Sequence, residues 1–158
     1  MKTILYRPNT PTTQMENYAG KFKENSELSD SKDILLELQD VPWLIKKAIS
    51  MFSATMTITQ TEKQIVINVT LAAGIHKEEI YEIDGLEKPN TPPWGPALTR
   101  RTFWGDDGHL CVETKSPKGY SILAVWGLDG KGGQTRVLNI TMKDGSKKIV
   151  KLFLDPLQ

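Results

Sequence analysis

The sequence predicts an all-β protein: an antiparallel up-and-down β-barrel of about ten strands, capped by a helix-turn-helix. Three observations predict it. Short alternating stretches rich in β-branched and aromatic residues recur along most of the chain. Turn dipeptides, Asp84-Gly85, Asp107-Gly108, Asp129-Gly130 and Asp144-Gly145, separate many of them. Helical periodicity is confined to one region, residues 30–52. A long meander leaves two exposed edges unless it closes, so a closed or nearly closed barrel is the favoured form.

Taken in order, residues 1–15 hold Pro8 and Pro11 with little periodicity and read as an N-terminal arm. Residues 16–158 read as one barrel domain. Tyr18–Glu24 alternates as a first strand. Asp30 and Ser31 suit the N-cap of a short helix over Asp33–Leu38. Asp40 suits the cap of a second, with Pro42 in its first turn, where a missing N–H costs nothing. Leu44, Ile45, Ala48, Ile49 and Phe52 then share one helical face, and Lys46, Lys47 and Ser50 the other.

Ser53–Thr59 and Gln64–Leu71 form a hairpin around Thr61-Glu62-Lys63, and Glu78–Ile83 follows. Residues 86–96 carry Pro89, Pro92, Pro93 and Pro96 around Trp94 and read as a stiff irregular loop. A regular meander completes the chain: Ala97–Trp104, His109–Lys115, Tyr120–Trp126, Thr135–Met142 and Lys147–Leu154.

The bulk numbers exclude several classes. A length of 158 residues suits one domain with a real core. The net charge of +1, with no charged run, argues against nucleic acid as a partner. Cys111 is the single cysteine, so no internal disulfide forms. The apolar start ends at Arg7, too short for a secretory signal, and no segment approaches membrane-spanning length. The expectation is a cytoplasmic protein without stable membrane insertion; oligomeric state stays open. His76 and His109 fall at a strand start and beside a turn, where exposure is expected. With one cysteine they make no metal constellation. Gly130–Gly133 lacks the helix a phosphate loop requires and reads as a hairpin turn, so no cofactor is expected.

One strand, a helix pair and then a nine-strand meander resembles the intracellular lipid-binding proteins, the fatty-acid- and retinoid-binding branch of the calycin, lipocalin-like superfamily. The residues that carry the likeness are Tyr18-Ala-Gly-Lys-Phe-Lys, the helix pair with Trp43, and the late Asp-Gly turns. The resemblance spans roughly 16–156. It implies a lumen that holds a small hydrophobic ligand beneath a helical portal. Fatty-acid binders of this family hold the carboxylate with Arg-x-Tyr in the last strand and an Arg two strands earlier. Here those positions fall on Lys151 and Phe153, and on Val125 or Trp126, so the guanidinium fork is missing.

Candidate residues follow from strand parity. Ile149, Lys151 and Phe153 share a face of the last strand. If that face is the lumen, Lys151 is an ammonium in an apolar cavity, able to pair with an anion or act as a base; the opposite parity puts it in water. Leu138, Ile140 and Met142 alternate as interior residues of the neighbouring strand. Tyr120, Ile122, Ala124 and Trp126 share one face of theirs. Arg100, Thr102 and Trp104 share another, which favours Arg100 over Arg101 as the inward cation. Trp43 sits where this fold has its portal and is either a lid contact or buried beneath the helix. Glu113 shares a face with Cys111 and is a general acid or base only if that face is internal.

The leading reading is binding of a small hydrophobic molecule (lipid, isoprenoid or polyketide-like) by Trp43, Trp104, Trp126, Leu138, Ile140, Met142, Ile149 and Phe153. A cofactor-independent isomerase or cyclase of secondary metabolism, with Lys151, Arg100, Tyr120 or Glu113 moving protons, stays open. So does a filled barrel with an interaction role.

Overall fold

The computed structural model describes residues 15–51, 54–70, 76–92 and 97–157. Ten strands and two helices run in the order β1 (Gly20–Glu24), α1 (Asp33–Leu38), α2 (Trp43–Met51), β2 (Thr55–Gln60), β3 (Gln64–Thr70), β4 (His76–Glu82), β5 (Lys88–Asn90), β6 (Leu98–Trp104), β7 (Leu110–Lys115), β8 (Ser121–Leu128), β9 (Gln134–Thr141) and β10 (Lys147–Pro156). All strands join one antiparallel sheet in the order β4-β3-β2-β1-β10-β9-β8-β7-β6-β5. The meander curls until its first and last strands meet as β1 and β10, with Phe22 opposite Pro156 and Glu24 opposite Leu154. The remaining edges, β4 and β5, are not paired with one another in this order.

The strand β5 was not expected. The Pro-rich stretch pairs Lys88, Pro89 and Asn90 with Arg100, Thr99 and Leu98. A proline is tolerated there because an edge strand leaves one row of N–H groups unused. The expected arm lies outside the described residues up to residue 14, as do Phe52 and Ser53, Leu71, and Trp94 in the Pro-rich stretch.

The core has two parts. One end of the barrel is filled by Tyr18, Phe22, Ile58, Ile65, Ile67, Leu110, Val112, Trp126 and Leu154. At the other end Leu35 of α1 packs on Tyr120, Ile122, Ile140 and Val150.

Of the residues expected to cap the helices, Ser31 accepts from the Asp33 N–H at 3.2 Å at the start of α1, while Asp30 and Asp40 do other work. Lys32 occupies the N-cap of α1 without a side-chain bond. Asp30 accepts from the Lys151 backbone N–H at 2.8 Å and Ser29 from that of Phe153 at 2.8 Å, which ties the chain before α1 to the edge of β10. Asp40 stands at a positive φ of 54° and receives Lys118 Nζ at 2.6 Å instead of capping α2. Leu44 is exposed, so the apolar face of α2 is narrower than expected: Ile45 and Ile49 are its partly buried members among the described side chains. Glu24 is buried on the inward face of β1 and is paired with Lys32, which offsets part of the cost of removing its charge from water.

Candidate functional site in the barrel lumen

Strand alternation decides which side chains face the lumen. On β8 the inward set is Tyr120 (just before the strand), Ile122, Ala124 and Trp126; on β9 it is Gln134, Arg136, Leu138 and Ile140. On β6 it is Leu98, Arg100, Thr102 and Trp104, and on β10 it is Val150, Leu152 and Leu154. On the β4 side of the lumen lies an open cavity of about 480 Å³, lined by residues of β4, β6, β7 and β8, by Leu138 of β9 and by Gln39 just after α1. That volume lies within the range of small-molecule sites, about 300–1,000 Å³. Its wall includes Tyr81, Arg100, Tyr120, Ile122, Trp126 and Leu138.

The wall is apolar on the β7–β9 side and charged near β4. Arg100 lies over the Tyr81 ring at 4.1 Å and donates to the Ile80 carbonyl at 2.7 Å. Its other amino group reaches Glu79 at 3.5 Å, and Lys77 reaches the same carboxylate at 3.4 Å. Arg100 thereby ties the β6 side of the sheet to the β4 edge. The Tyr81 hydroxyl donates to Glu79 at 3.1 Å; burial above all pushes its pKa up, so it stays a neutral phenol.

At the floor lies an aromatic nest. Tyr18 stacks on Trp104 at 6.2 Å and meets Trp126 edge-on at 5.3 Å; Trp126 meets Tyr81 at 5.8 Å. Pairing places Arg136 directly opposite Trp126 on one side and Leu152 on the other. Its guanidinium lies 3.6 Å from the centre of the Trp126 ring. The Tyr18 hydroxyl donates to Glu16 at 2.7 Å and accepts from the Leu110 N–H at 3.1 Å, and Glu16 holds His109 Nδ1 at 2.8 Å. The hydrogen bond to Glu16 raises the His109 pKa. His109 is therefore half-buried and partnered, while His76 is exposed as expected.

The structure places the predicted site residues unevenly. Arg100, Trp104, Tyr120, Trp126, Leu138 and Ile140 all sit on inward faces, and Met142 packs beside Ile140 under α1. Lys151 and Ile149 do not: both are exposed, Ile149 at 58%, and Phe153 shares their outward face. The reason is β10's other face, where Val150, Leu152 and Leu154 form the better apolar set. Glu113 also faces outward, paired with Arg101 at 3.3 Å. Trp43 is 70% exposed and neither lines the cavity nor lies beneath its helix. The four groups offered for proton transfer are thus not gathered; Arg100 and Tyr120 alone among them reach the lumen. Sequence reasoning missed Arg136, although its parity with Leu138 and Ile140 was the signal.

No protein-family model matches the chain, and no characterised protein matches it by sequence. Solved structures do match in shape. A Schistosoma mansoni fatty acid binding protein in complex with arachidonic acid aligns with a TM-score of 0.68 at 16% identity, over 92% of this chain and 99% of that one. Apo lipid binding protein 8 of Caenorhabditis elegans aligns at 0.70 and 16%, over 89% and 95%. Human cRBP IV aligns at 0.68 and 12%, over 90% and 99%.

The chain has the fatty-acid-binding-protein fold. Within that fold the inward positions of β10 are aliphatic, so the Arg-x-Tyr fork is absent from this strand whichever residues are aligned with it. No helix among the described residues is long and apolar enough to cross a membrane.

Proposed function

We propose that this protein binds a small hydrophobic molecule inside the barrel. The observation that carries the reading is the cavity of about 480 Å³ lined by Tyr120, Ile122, Trp126 and Leu138 and by the charged Arg100–Glu79 corner. Removing apolar ligand surface from water supplies the driving force, and the few polar groups fix its orientation. The solved structures of similar shape include proteins named as fatty acid and lipid binders, which agrees with this reading. The free thiol of Cys111 suits the reducing cytoplasm proposed for it.

The test is titration with 1-anilinonaphthalene-8-sulfonate, followed by displacement with dodecanol. The reading expects one saturable site, full displacement, and at least about tenfold weaker binding in Ala124→Trp, because Ala124 lines the cavity and an indole there occupies ligand volume. Absence of saturable binding in the unsubstituted protein would leave the filled barrel as the better account. Conversion of a bound molecule is a separate question, and the dispersed positions of Lys151, Glu113, Arg100 and Tyr120 give it no support.

A further inference from the structure

Arg136 is the buried group that the packing does not explain. Its Nη1 donates to the Thr135 carbonyl at 3.1 Å, but its Nη2 is buried and has no hydrogen-bond partner. No carboxylate among the described residues is paired with it; its surroundings are the rings of Trp126 and Tyr18. Burial pulls its pKa down to about 9, so at neutral pH it remains a cation in an apolar site. A buried charge normally has a counter-charge or a full set of hydrogen bonds. Among the described residues two more side-chain polar atoms are buried without partners, and both belong to residues touching Tyr18: Trp104 Nε1, whose ring stacks on Tyr18, and Gln134 Oε1, whose amide donates to the Tyr18 carbonyl at 2.7 Å. Arg100 differs. It is already committed to Glu79, the Ile80 carbonyl and the Tyr81 ring.

The cavity lies beside this cation. Ala124 and Leu138, opposite one another, line it, and Trp126 and Arg136 form the next row toward the closed end. We propose that Arg136 anchors a compact anion at the floor of the lumen, a carboxylate or comparable singly charged group. The anion is either the polar head of the hydrophobic ligand, in which case the inference rests on the function proposed above, or a small free anion. The likeness to fatty-acid binders put no arginine at this position of β9.

The experiment compares laurate with dodecanol, which share a chain and differ in head group, by calorimetry on the unsubstituted protein, Arg136→Met and Arg136→Lys. Lys151→Ala, which removes an exposed cation from the outer face of β10, is the control for charge loss, and Arg100→Gln tests the cation in the cavity wall. A ligand head group at Arg136 predicts laurate preferred at least about tenfold, with the preference lost in Arg136→Met and retained in Lys151→Ala, which removes an exposed cation. A free anion predicts no such preference. It predicts instead that acetate or chloride at constant ionic strength raises the melting temperature of the unsubstituted protein but not of Arg136→Met. If Arg136→Met does not fold, Arg136→Lys keeps the charge without the planar fork and should weaken whichever effect the unsubstituted protein shows. Equal binding of both amphiphiles with no anion-dependent stabilisation overturns the proposal while leaving the cavity reading intact. A preference that disappears in Arg100→Gln and persists in Arg136→Met overturns it as well.

Discussion

The two ends of this barrel are built from similar residues and put to different use. At the closed end, Tyr18, Ile58, Ile65 and Leu110 are almost fully buried, and the Tyr18 hydroxyl is shared among Glu16, the Leu110 N–H and the Trp126 carbonyl. At the helical end, Leu35 clusters with Tyr120 and Ile122, yet Tyr120 and Ile122 also line a cavity. A fold can therefore concentrate packing in one part of the barrel and leave volume in another. The difference also tells which substitutions should affect stability and which should affect binding.

The largest effect belongs to the closed end. Tyr18→Ala should destabilise the protein by about 3–5 kcal/mol, the range for removing a buried aromatic side chain. Tyr18→Phe should cost about 1–3 kcal/mol, because it leaves the Leu110 N–H buried without its acceptor. Urea unfolding checks both, and a neutral Tyr18→Ala would break the contrast between the two ends. By comparison, Ala124→Trp should lower stability by at most about 1–3 kcal/mol, the usual range for overpacking, while removing most probe binding.

The charged corner sharpens the contrast at an intermediate scale. Arg100→Gln should lower stability by about 1–2 kcal/mol, since its bonds to Ile80 and Glu79 tie β6 to the β4 edge. Hydrogen exchange of the β4 amides should rise with it; unchanged exchange would remove Arg100 as the tie.

How much of this was legible in the sequence varies along the chain, for physical reasons. β6, β8 and β9 were placed correctly because turn residues bracket each of them, and Arg100, Leu138 and Ile140 lie inside as expected; Trp126 was left open, because Leu123 and Val125 make the other face of β8 apolar too. β10 has apolar residues on both faces, so alternation alone could not say whether Ile149 and Phe153 or Val150 and Leu154 faced inward. Lys151 was therefore ambiguous, and it lies outside. Pro89 hid β5, because a proline looks like a break until the strand is known to be an edge. Arg136 was overlooked because a charged residue in an inward register reads as an exception to the pattern. In this fold such an exception is the best pointer to a site. Asp30 looked like a helix cap but, together with Ser29, serves a backbone edge, a role no local pattern distinguishes.

The smallest effects come from the outside of the barrel. His109 takes the Glu16 carboxylate, and its pKa is raised above the ordinary value of about 6.5. The pair should therefore stabilise the fold fully below pH 6.5 and lose that contribution as pH rises through the raised value. Exposure of the ring keeps the effect modest, and Glu16→Gln should flatten it in a pH series of melting temperatures. Lys151→Ala should leave probe affinity unchanged within error. A clear loss would mean that β10 faces the other way.

The central claim, a ligand held in the cavity beside Ile122 and Leu138 and excluded from the packed end, is tested most directly by methyl NMR on isotopically labelled protein titrated with dodecanol. The account predicts that the Ile122 and Leu138 methyl signals shift and saturate together, while those of Ile58 and Ile65 stay in place. Shifts centred on Ile58 and Ile65, or no shifts at any concentration, would contradict it.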